Sequence, residues 1–283
     1  MSTPSSIHPP TRTLTEFIGP VSRSARMRSI ARDIALRLLS VRSQSDQNSI
    51  RFPFYHHIFE DEQKGFTRQL KEMLNFGDFI GLDNAVAILE EDLPIDGRYF
   101  CITFDDGLAS CAWSAAPILS EMQIPAAFYV ISNFVDCSLP PGDPIARTVF
   151  GFKGRKTALD FMSWKQVREL AESGFTIGSH TADHICLADL DDEAAGNQIS
   201  KSKTDIEKNT DQQCIHFCPP YGIPGKHFDL KRETATVKDL GFASLVCGVR
   251  GPNKTGANPF SIKRDHLLAN WGQHQLRYFL GLD

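Results

Sequence analysis

The feature that most constrains the fold of this chain is a repeated alternation of short apolar runs with segments of helical period. Runs that predict strands cover residues 50–54, 98–104, 126–132, 214–218 and 243–247, with shorter ones at 79–81 and 175–178. Segments that predict helices lie at 60–76, 82–89, 110–122, 163–172, 192–209 and 229–240. Repeated β-then-α units imply an α/β fold with a parallel sheet of about seven strands, either closed into a barrel or open and doubly wound.

Length and composition fit one large domain preceded by an extension. The 283 residues are 41% hydrophobic, and α/β barrels of about 200–250 residues commonly form a single domain. We therefore expect an N-terminal extension over residues 1–49 and one barrel-like domain over residues 50–283. Residues 1–12 are rich in Ser, Pro and Thr and are expected to be disordered. Residues 133–160 show no clean period and predict a long inserted loop, a kind of segment that often forms a lid.

Residues 23–42 combine a helical apolar period with arginines at positions 23, 26, 28, 32, 37 and 42. The pattern predicts a basic amphipathic helix in the N-terminal extension. Such a helix either packs on the domain that follows it, which is the commoner use of an apolar stripe, or makes peripheral contact with an anionic membrane surface.

Charge, cysteines and hydropathy exclude several classes of protein. The net charge of −4, from 30 Lys and Arg against 34 Asp and Glu, gives no reason to expect nucleic acid as a partner. The seven cysteines include no Cys-x-x-Cys pair, so reduced thiols are expected. No apolar stretch is long enough to span a bilayer, and the first ten residues lack the apolar core of a secretory signal. We therefore expect a cytoplasmic protein.

The first candidate site is the pair Asp105 and Asp106, which follows the apolar run 98–104 and precedes Gly107. Adjacent strand residues point to opposite faces, so the two carboxylates have different roles unless the strand has already ended. One could bind a metal while the other transfers a proton. The carboxyl ends of parallel strands are also where α/β folds place their sites.

The second candidate site is the pair His180 and His184, whose spacing predicts that both imidazoles lie on one side of a helical turn. Alone, this spacing could be a coincidence among nine histidines. Two histidines and one carboxylate would hold a divalent cation and leave positions for water and substrate; zinc, cobalt and nickel all suit these ligands. Because Thr181 stands where the zincin pattern has its glutamate, the base must come from elsewhere, and the Asp pair is available.

The third candidate site is the turn 218–222, which reads Cys-Pro-Pro-Tyr-Gly after a predicted strand. Two prolines fix the backbone, so the amide of Tyr221 is held rigidly and could donate to a developing oxyanion. An ordinary strand-terminating turn is the alternative interpretation.

Together the three stretches resemble the motifs of the polysaccharide deacetylases, the NodB-homology or carbohydrate esterase family 4 fold. Residues 103–107 match the family's Thr-Phe-Asp-Asp-Gly, residues 179–184 its Ser-His-x-x-x-His, and residues 220–222 its Pro-Tyr-Gly turn, which begins at Pro220. The resemblance covers residues 50–268. It implies a deformed (β/α) barrel and the removal of an acetyl group from an N-acetylated sugar.

The resemblance also implies roles for individual residues. Asp105 would be the general base and Tyr221 the oxyanion donor; one divalent metal ion, zinc in the first place, would be held by Asp106, His180 and His184. The segment 54–56, Phe-Tyr-His, resembles the Tyr-His of the branch that acts on exopolysaccharides such as poly-N-acetylglucosamine. That similarity would place His56 near the metal.

Two departures from the family pattern concern the base and the acid. Where many members carry an arginine that orients the base, this chain has Cys218; Arg264 could replace it, because the late strand of the exopolysaccharide branch often ends in arginine. The family's late Leu-x-x-His motif, which supplies the general acid, has no good copy here, and His266 is the nearest candidate. Trp271, past the last predicted strand, is the tryptophan that could contact a sugar.

These features predict a metal-dependent hydrolase that removes an N-acetyl group from an amino sugar or polysaccharide. Two alternatives stay open. The same fold could act on another C–N bond, as in a formylated sugar or a cyclic imide or ureide, or the chain could be a non-catalytic carbohydrate-binding relative.

Overall fold

Parallel strands alternate with helices along most of the chain. The structure is a computed structural model that describes residues 8–20 and 47–282. Its strands are β1 (Ser49–Arg51), β2 (Pro53–Tyr55), β3 (Asp78–Phe79), β4 (Arg98–Phe100), β5 (Ile102–Phe104), β6 (Ala126–Val130), β7 (Ser138–Leu139), β8 (Leu159–Asp160), β9 (Thr176–Ser179), β10 (His216–Phe217), β11 (Ser244–Cys247), β12 (Ile262–Lys263) and β13 (Asp265–His266). Its α-helices are α1 (Leu14–Ile18), α2 (Gln63–Leu74), α3 (Leu82–Glu90), α4 (Ala116–Glu121), α5 (Pro144–Thr148), α6 (Trp164–Glu172), α7 (Asp192–Thr210), α8 (Leu230–Asp239) and α9 (Gln273–Leu280).

The main sheet forms the barrel that the alternation of apolar runs predicts. Its strands follow the order β12-β11-β10-β9-β6-β5-β2-β13, and the pairings between them are parallel. Strands β5, β6 and β11 are buried at every residue, as expected where helices cover a parallel sheet. The prediction of an α/β barrel, left open between two architectures by the apolar pattern, is confirmed.

The barrel closes through one interrupted strand. The two ends of the strand order, β12 and β13, are consecutive in the chain and are separated only by Arg264. Strand β12 pairs with β11, while β13 pairs with β2 on the other side. At the interruption, the backbone N–H of Arg264 donates to the carbonyl of Val249 at 2.9 Å. Counted as one strand, residues 262–266 complete a barrel of seven, as predicted.

A smaller parallel sheet, β1-β4-β3, continues from the barrel at the amino end of two of its strands. Only Phe52 separates β1 from β2, and only Cys101 separates β4 from β5. The same extended segments therefore supply both sheets. This arrangement extends the core below the barrel and leaves the carboxyl ends of β2 and β5 at the opposite edge.

The N-terminal residues 8–20 lie on the barrel. The backbone N–H of Ala158 donates to the carbonyl of Pro9, and the N–H of Thr11 donates back to the carbonyl of Ala158, both at 2.9 Å. Helix α1 begins at a capping box between Thr13 and Glu16. The expectation of disorder is therefore wrong for residues 8–12. The basic helix predicted over residues 23–42 lies outside the described residues, so it and the domain boundary at residue 49 stay predictions.

The inserted segment 133–160 contains more regular structure than its sequence predicts. Strands β7 and β8 pair in antiparallel fashion at its base, and Asp143 caps helix α5 between them by accepting from the N–H of Ala146 at 2.9 Å. Two-residue strands carry no detectable alternation, which explains why the sequence shows only a loop. Helix α5 leads directly to Val149 and Phe150, which reach the cavity described below.

Among the helices of residues 8–20 and 47–282, none combines the length and the apolar character that crossing a bilayer requires.

Candidate active site

A cavity of about 430 Å³ opens at the carboxyl ends of the barrel strands. Its lining includes Phe17, His56, His57, Asp105, Asp106, Phe150, His180, His184, Tyr221, Arg264 and His266. Strands β2, β5, β9 and β12 each contribute the residue that directly follows the strand, namely His56, Asp105, His180 and Arg264, because parallel strands end at the same edge. The three separated sequence stretches therefore meet in one place.

Both carboxylates of the Asp pair face this cavity. Strand β5 ends at Phe104, and Asp106 has a φ of 69°, in the left-handed region. This turn removes the alternation that would have sent Asp105 and Asp106 to opposite faces. Both residues are buried, at 3% and 8% relative exposure.

The two histidines of the second stretch do not lie on a helix. The segment after β9 is an irregular turn in which Thr181 and His184 have φ values of 65° and 57°, so the prediction of a helical turn is wrong. The turn nevertheless brings both rings to Asp106: Nε2 of His180 lies 3.4 Å and Nε2 of His184 3.3 Å from its Oδ1. His180 is fixed on its other side, where Nδ1 donates to the carbonyl of Cys218 at 2.6 Å. That bond leaves the Nε2 lone pair free for a cation.

These three side chains fit a divalent metal ion. Ligand atoms about 2.0–2.1 Å from a tetrahedral zinc ion lie about 3.3–3.4 Å from one another, which matches the two distances between Asp106 and the imidazoles. A hydrogen bond between the same atoms would be shorter, at about 2.7–3.2 Å. The donor set of two imidazole nitrogens and one carboxylate oxygen, all buried, also suits zinc, cobalt or nickel.

Asp105 is held by Arg264. The guanidinium donates from Nη1 to Oδ1 at 2.7 Å and from Nη2 to Oδ2 at 2.8 Å, and both side chains are buried. Burial alone would raise the pKa of Asp105, but the charge and hydrogen bonds of Arg264 outweigh it and hold that pKa below its usual value. The guanidinium also approaches Sγ of Cys218 at 3.0 Å. The short side chain at position 218 thus leaves the space that Arg264 occupies.

The turn at Pro220 and Tyr221 presents a free backbone amide. Tyr221 has a φ of 62°, and its N–H makes no hydrogen bond to any described residue. On either side the turn is fixed, because the N–H of Gly222 donates to the carbonyl of Pro220 at 2.7 Å and the N–H of Gly248 donates to the carbonyl of Gly222 at 2.6 Å. The Tyr221 ring lies against His184, with the ring centres 4.9 Å apart.

His56 and His266 form an edge-to-face pair in the cavity, with their ring centres 4.9 Å apart. Burial lowers the pKa of His56. Burial, together with the neighbouring charges of His56 and Arg250, lowers the pKa of His266 to about 3. Both rings are therefore neutral at pH 7 in the substrate-free protein.

The structure adds residues that the sequence did not indicate, and two predicted site residues, Pro220 and Trp271, are not among the residues that line the cavity. Phe17, His57 and Phe150 line the cavity. The His-His doublet at positions 56 and 57 was a detectable signal, whereas Phe17 and Phe150 reach the site only through tertiary contacts. Trp271 is not among the cavity residues; it stacks on Phe279 with the ring centres 4.8 Å apart, so the structure does not support a sugar contact there.

Comparisons with known proteins agree with this fold. A family model described as polysaccharide deacetylase matches residues 94–243, just over half of the chain. The Bacillus subtilis protein named "Putative polysaccharide deacetylase YxkH" is 25% identical over 188 residues, which cover 66% of this chain and 57% of that protein. The chain thus spans little more than half the length of this curated relative.

Solved structures share the architecture. The Streptococcus pyogenes deacetylase PplD, in complex with acetate, superposes with a TM-score of 0.66 at 19% identity, covering 83% of this chain and 99% of that one. IcaB from Ammonifex degensii gives 0.65 at 20% identity, covering 82% and 100%. The deacetylase domain of BpsB from Bordetella bronchiseptica gives 0.61 at 18% identity, covering 79% and 97%. At these identities the likeness to solved structures shows the fold, which is the NodB-type barrel. Because the family model matches more than half of this chain, the chain belongs to the polysaccharide deacetylase family.

Proposed function

We propose that the protein is a metal-dependent hydrolase that removes the N-acetyl group from an amino sugar within a glycan. The observation that carries the proposal is the convergence, in one cavity, of three ligand atoms on Asp106, His180 and His184 with the separate ion pair of Asp105 and Arg264. A carbohydrate-binding relative without activity would have no use for the buried, ionised carboxylate of Asp105 beside the three metal-ligand candidates, which we call the ligand group.

The ligand group and the base have separate chemical tasks. A divalent cation held by Asp106, His180 and His184 would polarise the acyl carbonyl and acidify a water molecule. Asp105 takes the proton of the attacking water, and the two hydrogen bonds from Arg264 fix the direction of its carboxylate. Because Arg264 donates to both oxygens of Asp105, the carboxylate accepts the proton in a fixed orientation.

The oxyanion and the leaving group are served by other residues. The free N–H of Tyr221 donates to the oxygen that becomes negative when water adds to the acyl carbon. The leaving amine needs a proton. Because both rings are neutral before substrate binds, its source is the proton that Asp105 takes from the attacking water, and we assign its delivery to the amine to one of the two rings, His56 or His266, the second being the acid that the sequence indicates.

The test compares bound metal with acetate release from N-acetylglucosamine oligomers. His184→Ala removes a ligand atom and is expected to lose both the metal and the activity. Asp105→Asn keeps all three ligand atoms, so it is expected to retain the metal and lose at least 100-fold in acetate release, the usual range for a base. His274→Ala, outside the cavity, is the control and should change neither. Full activity in either of the first two variants would contradict the proposal. Formate release from formylated sugars, without acetate release from the acetylated ones, would show that the enzyme is a deformylase.

A further inference from the structure

We propose that His57 is a substrate-positioning residue of this cavity, held in place by Glu62 and by Phe17 of the N-terminal segment. The inference rests on the proposed function and extends it to residues that the family motifs do not include. It also makes residues 8–20 part of the substrate site.

The first observation is the contact between His57 and Glu62. Nδ1 of His57 lies 2.8 Å from Oε2 of Glu62, whose side chain is 2% exposed. The same carboxylate oxygen accepts the N–H of Phe59 at 3.1 Å. An ionised carboxylate only accepts, so the imidazole hydrogen lies on Nδ1 and the Nε2 of a neutral ring is an acceptor. No described residue donates to that Nε2.

The second observation is that the ring cannot turn freely. Phe59 stacks on it with the ring centres 4.7 Å apart and an interplanar angle of 25°, and Phe17 lies against it at 5.0 Å. Phe17 is supported in turn by Phe152 at 5.7 Å. A ring fixed by packing and by a buried carboxylate loses little further freedom when it binds a ligand, which favours affinity.

The third observation is that Phe17 is itself anchored on two sides. The N–H of Leu14 donates to Oδ1 of Asp61 at 2.9 Å, next to the partner of His57. The carbonyl of Phe17 accepts from the N–H of Lys153 at 2.8 Å, on the inserted segment. Helix α1 therefore connects the turn that carries Glu62 with the segment that carries Phe150, and it contributes the wall between them.

The chemistry of this wall fits a sugar hydroxyl. An Nε2 lone pair at the edge of an aromatic wall accepts from an O–H group, and every sugar unit next to the reacting one carries several. His57 and Phe17 share the cavity with Asp105 and Asp106, but His57 makes no bond to either carboxylate among the described contacts. We therefore expect it to act on binding and not on the bond that breaks.

The main test is His57→Phe, which keeps an aromatic ring between Phe17 and Phe59 and removes the acceptor. For an N-acetylglucosamine tetramer we expect KM to rise about fivefold to tenfold, the usual loss for one hydrogen bond, with kcat within about twofold of wild type, as for lost uniform binding. His57→Gln, which can still offer an amide oxygen, should recover part of the affinity. An unchanged KM would overturn the inference, and so would a 100-fold loss of kcat at constant KM.

Further variants separate positioning from folding. His57→Phe leaves the buried Glu62 carboxylate with one partner fewer. If this variant does not fold, the double variant His57→Phe with Glu62→Gln replaces it. The same rise in KM is expected for the double variant. The matched control is Asp83→Asn, which alters an imidazole–carboxylate pair outside the cavity, His216 and Asp83, 3.1 Å apart. Its KM should equal that of wild type, and a shift as large as that of His57→Phe would contradict a role specific to this wall.

A failure of the positioning role of His57 can be distinguished from a failure of the proposed function. A wild-type protein that releases no acetate contradicts the deacetylase assignment alone. Calorimetric binding of the same tetramer to wild type and to His57→Phe then tests the positioning role without turnover. Equal affinities would overturn it.

Discussion

At the scale of single residues, the arrangement around Asp105 shows how the chain manages without the arginine that many relatives carry before the Pro-Tyr-Gly turn. Cys218 is small, and the guanidinium of Arg264 lies beside its sulfur while binding both oxygens of Asp105. The sequence indicated Arg264 as the substitute, because two candidate arginine positions exist in the family pattern. It could not show the bidentate geometry, which depends on how the last barrel strand meets the first.

Replacement of Arg264 tests this pair directly. Arg264→Lys keeps the charge but cannot donate two parallel hydrogen bonds, so we expect kcat to fall about 100-fold, as for a misplaced catalytic group. Arg264→Ala leaves a buried carboxylate without a partner and is expected to lower the free energy of unfolding by about 3–5 kcal/mol. Steady-state kinetics and urea denaturation measure the two effects. Wild-type kcat in the lysine variant would show that the two parallel hydrogen bonds to Asp105 are unnecessary for catalysis.

The proton donor to the leaving amine is the second question at this scale. The charges of Asp106 and His180 act on His56, whereas the main charges that act on His266 are those of His56 and Arg250. His56 follows Tyr55, which pairs with Phe104 next to the Asp pair, whereas His266 lies on β13, one strand further away. We therefore expect His56→Ala to lose about 100-fold or more in kcat and His266→Ala to lose less. Parallel kinetics on both variants decide the matter. A larger loss at position 266 would return the role of donor to His266.

At the scale of elements, the sequence predicted the strand ends well and the turns between them poorly. Strand β5, helix α6 with its Ser163 cap, and helix α7 all lie where the apolar period placed them. The turn that carries His180 and His184 was mistaken for a helix because a spacing of four suits both, and only the positive φ values distinguish them. Contacts such as that of Phe17 with His57 join residues far apart in sequence, and no local pattern encodes them.

At the scale of elements, Asp265 on strand β13 is expected to make the stability of the protein depend on pH. Burial, which the charges of Arg51 and Arg250 only partly offset, raises the pKa of Asp265 to about 6. Because the folded pKa exceeds the unfolded value of about 3.9, ionisation of Asp265 costs stability, with no cost below pH 4 and the full cost, about 3 kcal/mol, above pH 6. The same Arg51 donates to the carbonyl of Phe279 at 2.6 Å, which links the strand to helix α9.

The measurement is urea unfolding of wild type and Asp265→Asn at pH 4.5, 5.5 and 7. The asparagine variant cannot ionise, so the stability of wild type relative to the variant should fall as pH rises through this range. A constant difference would show that Asp265 does not titrate with a raised pKa.

At the scale of the whole molecule, helix α2 approaches closely the chain that leaves β13, the last strand of the barrel. A Cβ added at Gly65 would lie 2.2 Å from the carbonyl oxygen of Ala269, a backbone atom that cannot move aside alone. Alanine is the better helix former by about 1 kcal/mol, but the clash is expected to win. Gly65→Ala should therefore lower the free energy of unfolding by about 1–3 kcal/mol.

Gly196 in helix α7 is the matched control, because a Cβ there meets its nearest neighbour, Thr236, at 3.9 Å. Gly196→Ala should raise the free energy of unfolding by about 0.5–1 kcal/mol through helix propensity alone. Urea denaturation of both variants checks the opposite signs. Stabilisation by Gly65→Ala would mean that α2 and the closing segment are not in close contact.

The interruption of the closing strand at Arg264 has a consequence for the order in which the protein is made. All three metal-ligating candidates, Asp106, His180 and His184, precede it in the chain by a long interval, and β6 alone separates the strands β5 and β9 that lead to them. A growing chain on the ribosome can therefore gather its ligand group before the residue that orients the base has been synthesised. Maturation then ends with one strand, whose arrival both seals the barrel and gives Asp105 its partner, so a nascent chain could hold a cation while still chemically inert.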